Sequence, residues 1–382
     1  MEMLDQLMLG TIDGGYPTGE TKQFVNPPIL IGYNFTPKQA REARDGGKLL
    51  TMRTETSILC NIRCKYCNGI SGTPPPGEIS LNVIKNVISQ VKELGAESVV
   101  VIGGGEPTIY PYFKELVRYI NGLALVPVVF TNTVTMDYEL ASFLYQENAS
   151  VMTKLDSLNE ERQDLLASKK GTYRKIQEGL DNLMKVGFAN GDTSRLRLGA
   201  SFVTTTLTLD ETPEIWEFCR KYNIYPNQEA LVPRGRALTE LSYLSPTPVQ
   251  LNTIKRRLLG IDKQKYGYTW LVHTPLTGNG CLQHMYSVYL TSKGYIRPCA
   301  DVDIELFNVK DMSIKEILRT PLFQMVKNIE KYLDGKCGTC EYVPDCIGCR
   351  GIAFSTGINE GLDIYQALKR EDPCCDKNEP TI

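Results

Sequence analysis

From residue 51 onward, short runs almost continuous in apolar residues alternate with longer segments in which apolar residues return every three or four positions. The runs are 51–58, 98–102 (SVVVI), 126–131 (VPVVFT), 150–155 (SVMTKL), 196–204 (LRLGASFVT) and 224–232. The periodic segments between and after them are 80–94, 111–121, 137–147, 172–187, 211–222 and 247–259. A short run without polar alternation suits a strand covered on both faces, and the longer period suits a helix with one buried stripe. Six strand–helix units predict a parallel sheet under helices, an α/β partial (β/α)6 TIM-like barrel over residues 51–260. In such a barrel the working residues stand at the C-terminal ends of the strands. Residues 1–50, rich in Gly and Pro (GGYPTG, NPP, DGG), read as an irregular lead-in with one short helix near 37–44. Residues 261–280 (GYTWLVHTPLTGNG) read as a linker, and over 281–382 the alternation yields to short hairpin-like and helical pieces punctuated by cysteine.

Composition narrows the function. The 382 residues carry a net charge of −2 with acidic and basic side chains well mixed, so nucleic acid and anionic membrane are not the expected partners. No apolar run reaches the ~20 residues of a membrane span, and residues 1–20 lack a signal-peptide pattern, so the cytosol is the expected compartment. Twelve cysteines against two histidines, His273 and His284, is the exceptional ratio. All but Cys219 fall at 60–67 or 281–375, and in a reducing compartment clustered thiols bind metal more often than they pair as disulfides. Scarce imidazole leaves iron–sulfur clusters or structural zinc as the candidates. Cys219, at an apolar helix position (WEFC), reads as a core thiol.

Directly after the first predicted strand, TSILCNIRCKYCNG sets Cys60, Cys64 and Cys67 in a C-x3-C-x2-C spacing. Three thiolates on one tight loop can hold three irons of a 4Fe-4S cube and leave the fourth open to a small chelating ligand. Zinc, with a fourth ligand from elsewhere, is the alternative for the same thiols. About forty residues on, the second strand ends in VVVIGGGEPT, where glycines let the backbone approach a ligand and a carboxylate can receive an ammonium group.

With Tyr66 just before the third cysteine, these motifs resemble the radical S-adenosylmethionine (SAM) superfamily. The resemblance implies a SAM-binding 4Fe-4S cluster on Cys60, Cys64 and Cys67, and a strip of Gly104, Gly105, Glu106 and Pro107 against the methionine amino group. Thr131 and Asn132 match a pair near the cofactor at the third strand. At the fourth strand Lys154 stands where relatives have serine, and Asp156 matches their aspartate. Lys169 or Lys170 is the candidate for meeting the SAM carboxylate, and Pro233, Gly235 and Arg236 match a P-x-G-R stretch of relatives with extra clusters.

The C-terminal third resembles the SPASM extension of that superfamily. Cys281, Gly294 and Cys299 fit its first part, and Cys337, Cys340 and Cys346 fit its C-x2-C-x5-C part. Cys349 follows after two residues where the family has three. The resemblance implies two auxiliary 4Fe-4S clusters, an outer one on Cys337, Cys340, Cys346 and one of Cys374 or Cys375, and an inner one on Cys281, Cys299 and Cys349. Zinc knuckles remain the bland alternative here too. The implied enzyme cleaves SAM reductively to a 5′-deoxyadenosyl radical and takes hydrogen from a substrate C–H bond. An electron donor such as flavodoxin or ferredoxin feeds it, and oxidation, cross-linking or epimerisation follows. Candidate substrates are a peptide or protein side chain, or a small metabolite such as a sugar, aminocyclitol or tetrapyrrole; a zinc-stapled binding module is the non-enzymatic alternative. Asp301 and Asp303 are the candidates for deprotonating the substrate.

Overall fold

The computed structural model describes residues 26–272 and 281–375. The first half of the predicted lead-in and part of the predicted linker lie outside these residues.

All six predicted strands form and pair in parallel: β2 (Thr51–Thr54), β3 (Ser98–Val101), β4 (Val126–Thr131), β5 (Ser150–Lys154), β7 (Leu198–Val203) and β8 (Tyr225–Glu229). Their apolar continuity has the expected cause, since every residue of β3 and of β7 is buried. The predicted helices between them also form. Helix Leu81–Glu93 is typical, burying Leu81, Ile84, Val87, Ile88 and Val91 along one stripe. No helix among the described residues is long and apolar enough to cross a membrane.

Two features depart from the expected outline. The lead-in contributes a two-residue strand, β1 (Ile29–Leu30), which pairs in parallel with β6 (Arg195–Leu196), split off the predicted 196–204 run. The chain then turns through Gly32 at φ +78, where a Cβ would press on Val126 and Val128, and buries Tyr33 inside the sheet's concave face. The Tyr33 ring lies 5.4 Å from Phe130 of β4 and 6.3 Å from Tyr225 of β8. One ring reaches strands separated by β5 and β7 only because the sheet curls, so this segment plugs a half-barrel.

The second departure is that the sheet does not stop at the sixth strand. Beyond Cys281, β9 (Ser287–Leu290) pairs in parallel with β2, and β10 (Ile296–Arg297) turns back against it, giving eight strands in the order β10-β9-β2-β3-β4-β5-β7-β8. β2 would otherwise expose an unpaired row of amides and carbonyls. The cysteine-rich region is thus joined to the barrel by main-chain hydrogen bonds. Its helices Ile314–Leu318 and Pro321–Lys327 bury Ile314, Ile317, Leu318 and Phe323 in one core with Val87, Val99 and Val101, and Arg350–Asn359 packs on Ile364–Lys369.

Candidate active site

A cavity of about 330 Å³ opens at the C-terminal ends of the barrel strands, walled by residues of all six strand ends and by the cysteine-rich region. Glu55, Ile102, Thr131, Lys154, Val203 and Glu229 mark the six strand ends.

The loop bearing Cys60, Cys64 and Cys67 forms its floor, and the thiols are half-buried. The predicted strand 51–58 ends early, at Thr54, because the next residues are drawn into this loop. Glu78 accepts from Ser57 Oγ at 2.8 Å and Ile58 N at 2.8 Å, while Ser57 and Leu59 offer carbonyls to the amides of Gly105 and Glu106. A Cβ on Gly105 would overlap the Leu59 carbonyl, so only glycine lets the second strand's end lie flat against the loop. From the other side the C-terminal carbonyls of helix Glu160–Ala167 accept from Arg63 N and Lys65 N. Arg236 closes the ring: its backbone N donates to Cys67 O at 2.9 Å, and its guanidinium donates to Cys64 O, Ser71 O and Ser71 Oγ at 3.0, 2.7 and 3.0 Å. The P-x-G-R stretch therefore clamps the cluster loop, a role the sequence did not disclose.

Glu106 is 4% exposed. Its Oε1 accepts from Thr108 N, Thr108 Oγ1 and Thr131 Oγ1 at 3.1, 2.6 and 2.7 Å, and its Oε2 from Asn132 N at 2.7 Å. Burial nevertheless raises its pKa above the ordinary glutamate range, against the pull of those donors. Asn132 lines the cavity and donates to Asn61 of the cluster loop at 2.7 Å. Gly104 and Gly105 line the cavity as well; Pro107 is not in its wall and starts a single 3-10 turn. Lys154 reaches the cavity with its ammonium 4.9 Å over the Tyr66 ring and 3.3 Å from Asp156. Asp156 is wholly buried behind them, accepting from Tyr66 Oη and from Val203 N at 2.9 Å. It thus positions Tyr66 and Lys154 without facing the cavity itself. Lys169 donates to the Asn61 carbonyl at 2.9 Å, and Lys170 is exposed.

On the opposite wall stand Cys281, Cys299 and Cys349. Each is near the next: the Cys281 thiolate opposes ionisation of Cys299, and Cys299 opposes that of Cys349. Asp301 lies between the two walls. It accepts from Asn68 of the first cysteine loop and feels Arg234 and Arg53. Burial raises its pKa, against the pull of Arg234. Asp303 points away from the cavity into ion pairs with Arg234 (2.7 Å) and Arg297. Of the barrel's predicted site residues the cavity wall holds Cys60, Cys64, Tyr66, Cys67, Gly104, Gly105, Glu106, Thr131, Asn132 and Lys154 but not Pro107, Asp156, Lys169, Lys170, Pro233, Gly235 or Arg236, and of the two acidic candidates it holds Asp301.

Cys337, Cys346 and Cys375 form a third group beside the cavity. Cys375 and Cys337 both oppose ionisation of Cys346, and amides point at three sulfurs of the region: Asp372 N at Cys337 (3.4 Å), Gly348 N at Cys346 (3.5 Å) and Ile352 N at Cys349 (3.4 Å). Asp372, fully buried, accepts from Cys349 N at 2.7 Å and Cys374 N at 2.8 Å, tying the two sets. Cys374 instead packs with Ala230, Leu251, Cys349 and Ile352 in an apolar cluster. All twelve cysteines are free thiols, and Cys219 is a fully buried core residue.

Do these residues fit iron–sulfur clusters? Burial pushes Cys64, Cys299 and Cys374 up to about 12 and Cys346 to about 11, so thiolates here need a cationic partner. Among the described residues no three His, Cys, Asp or Glu side chains converge on one point as a single ion requires. The separate irons of a cube suit several thiolates lining one cavity, and thiolates predominate among the donors.

Comparison with known proteins agrees. Residues 54–221 match the radical SAM superfamily and residues 281–341 an iron–sulfur cluster-binding (SPASM) domain. The chain is 26% identical over 362 residues to the AdoMet-dependent heme synthase of Oleidesulfovibrio alaskensis, covering 85% of this chain and 88% of that protein. It is 26% identical over 322 residues to the mycofactocin maturase MftC of Mycobacterium ulcerans, covering 80% and 84%. In fold it matches Streptococcus suis SuiB bound to its precursor peptide SuiA, with a TM-score of 0.64 at 15% identity over 98% of this chain and 87% of that one. The half-barrel, its cysteine loop and the cysteine-rich region sharing its sheet are those of a radical SAM enzyme of the SPASM type, the superfamily to which this chain belongs.

Proposed function

We propose that the chain oxidises or cross-links a peptide or protein side chain, with the substrate carbon held between the cluster loop and the Cys281/Cys299/Cys349 wall. When bound, the SAM-ligated cluster supplies the 5′-deoxyadenosyl radical and the auxiliary clusters supply an electron sink. Cys60, Cys64 and Cys67 hold the first of these. Glu106 receives the SAM ammonium on the open side of Oε2, while Tyr66, Lys154 and Asn132 border the cofactor. Asp301 takes the proton that leaves the substrate. The observation carrying this reading is the placement of Asp301, bonded to the first cysteine loop through Asn68 and close to Cys299 of the inner set. A base there serves a substrate that loses hydrogen on one side and an electron on the other. Burial raises its pKa above the ordinary aspartate range, which favours its accepting a proton. Flavodoxin or ferredoxin is the proposed electron donor, and the cytosol, where thiols stay reduced, the proposed compartment.

A peptide substrate is supported by the SuiB fold in complex with its precursor peptide and by similarity to a maturase. Similarity to heme synthases supports a tetrapyrrole as the second reading. Deuterium transfer separates them. The reconstituted enzyme, SAM and dithionite are incubated with a panel of deuterated synthetic peptides, or with a deuterated iron porphyrin. Deuterium is then sought in 5′-deoxyadenosine by mass spectrometry. Label from the peptide alone is expected; label from the porphyrin alone overturns the peptide reading. In Asp301→Asn, 5′-deoxyadenosine should still form while the oxidised product falls at least tenfold; an unchanged product yield removes Asp301 from the chemistry.

A further inference from the structure

The inner set offers three thiolates, and a cube has four irons. One buried side chain in the same cavity has a nitrogen to give. His284 lies on the short helix Gln283–Tyr286, three residues after Cys281. It is 8% exposed, and its Nε2 is buried without a hydrogen-bond partner. An orphan of this kind leaves a ring nitrogen free for a partner outside the protein. The side chain lines the cavity that Cys281, Cys299 and Cys349 also line.

We propose that His284, through Nε2, is the fourth ligand of the inner auxiliary cluster, completing the set Cys281, Cys299 and Cys349. The proposal rests on the reading that these three thiolates hold a 4Fe-4S cluster. The surroundings favour iron over other partners. Burial, and after it the cations Arg350 and Arg44, pull its pKa down to about 3, leaving the neutral imidazole that ligates metal. A guanidinium cannot ligate a metal, and neither one is hydrogen-bonded to Nε2. The carboxylate beside Arg44, Glu330, is engaged by that guanidinium through Oε1 at 2.9 Å. A fully ligated inner cluster passes electrons without binding substrate, which leaves the substrate to the open cavity and to Asp301.

The chain has two histidines, so isotope labelling singles out this ring. Untagged protein carrying Cys60→Ala, Cys64→Ala and Cys67→Ala is produced with ring-15N histidine, reconstituted, reduced and examined by pulsed EPR alongside iron analysis. About eight irons per chain are expected for two auxiliary cubes, with one directly coordinated histidine nitrogen in the hyperfine spectrum. That coupling should survive His273→Gln and vanish in His284→Gln and in Cys299→Ala. The labelled parent decides the matter even if a His284 variant fails to fold. About eight irons without histidine coupling overturns the ligand while leaving the inner cluster standing. About four irons removes the inner cluster, and the ligand with it.

Discussion

Cys374 and Cys375 are neighbours in sequence with different surroundings. Cys375 is close enough to Cys346 to oppose its ionisation, whereas Cys374 packs among Leu251, Ile352 and Cys349. Cys374 lies in a turn in which Cys375 N donates to Asp372 O at 3.3 Å, and the two thiols face different neighbours, so one of the pair is expected at the outer cluster with Cys337, Cys340 and Cys346. Cys375→Ala should therefore lose iron from that cluster, about four atoms per chain, and Cys374→Ala should keep it. Colorimetric iron and sulfide on the two variants settles the assignment. Glu106 sets a second expectation. Burial raises its pKa, so it becomes protonated above the ordinary glutamate range as pH falls, and the protonated form cannot pair with an ammonium. SAM affinity should drop through that region in the parent, and the drop should be absent in Glu106→Gln. The variant's affinity should be lower by roughly ten- to a hundredfold, the ~1.5–3 kcal/mol of a charge-assisted hydrogen bond. Calorimetric titration of SAM across pH measures both.

Strands and helices were legible in the sequence because each was a local pattern, an apolar run or a three-to-four-residue stripe. What the sequence hid was pairing between distant segments. SVYL at Ser287–Leu290 is too short to be distinguished from a buried turn, yet it is fully buried as β9 because β2 has an edge to cover. The lead-in reads as irregular since Ile29–Leu30 is a two-residue strand, and only its partner Arg195–Leu196 makes it one. The candidate site was legible where a compact motif carried the chemistry, as with Cys60, Cys64 and Cys67 on one loop and the glycines and Glu106 at the next strand's end. It was illegible where the work crosses the fold. Arg236 binds Cys64 O from 172 positions away, and Asp301 and Asp303 differ only in which wall they face. The clamp makes a prediction of its own. Arg236→Ala removes three side-chain hydrogen bonds to the cluster loop, and cluster loss to a chelator, followed by visible absorbance, should accelerate at least severalfold; Arg236→Lys should lie between. Gly105→Ala drives a Cβ into the Leu59 carbonyl, so it should abolish SAM-cluster reconstitution while the C-terminal irons remain.

At the scale of the molecule, the cysteine-rich region and the barrel share one sheet. Glu55, at the end of β2, accepts from Tyr289 Oη at 2.8 Å and Ser292 N at 2.7 Å, so the cavity's own rim depends on residues past 281. A chain truncated at residue 280 should be poorly soluble and fail to hold the SAM cluster, an outcome read from sedimentation and iron content. The same pairing has a consequence in time. Glu55 and Tyr289 are 234 positions apart, and a ribosome adding roughly 5–20 residues per second needs on the order of ten to fifty seconds to bridge them. Throughout that interval the nascent barrel presents β2 as a bare edge and its first three cysteines on a loop without a finished rim. Chaperones therefore have a long window on this chain, and iron–sulfur delivery to Cys60, Cys64 and Cys67 should follow release of the full-length protein rather than accompany its synthesis.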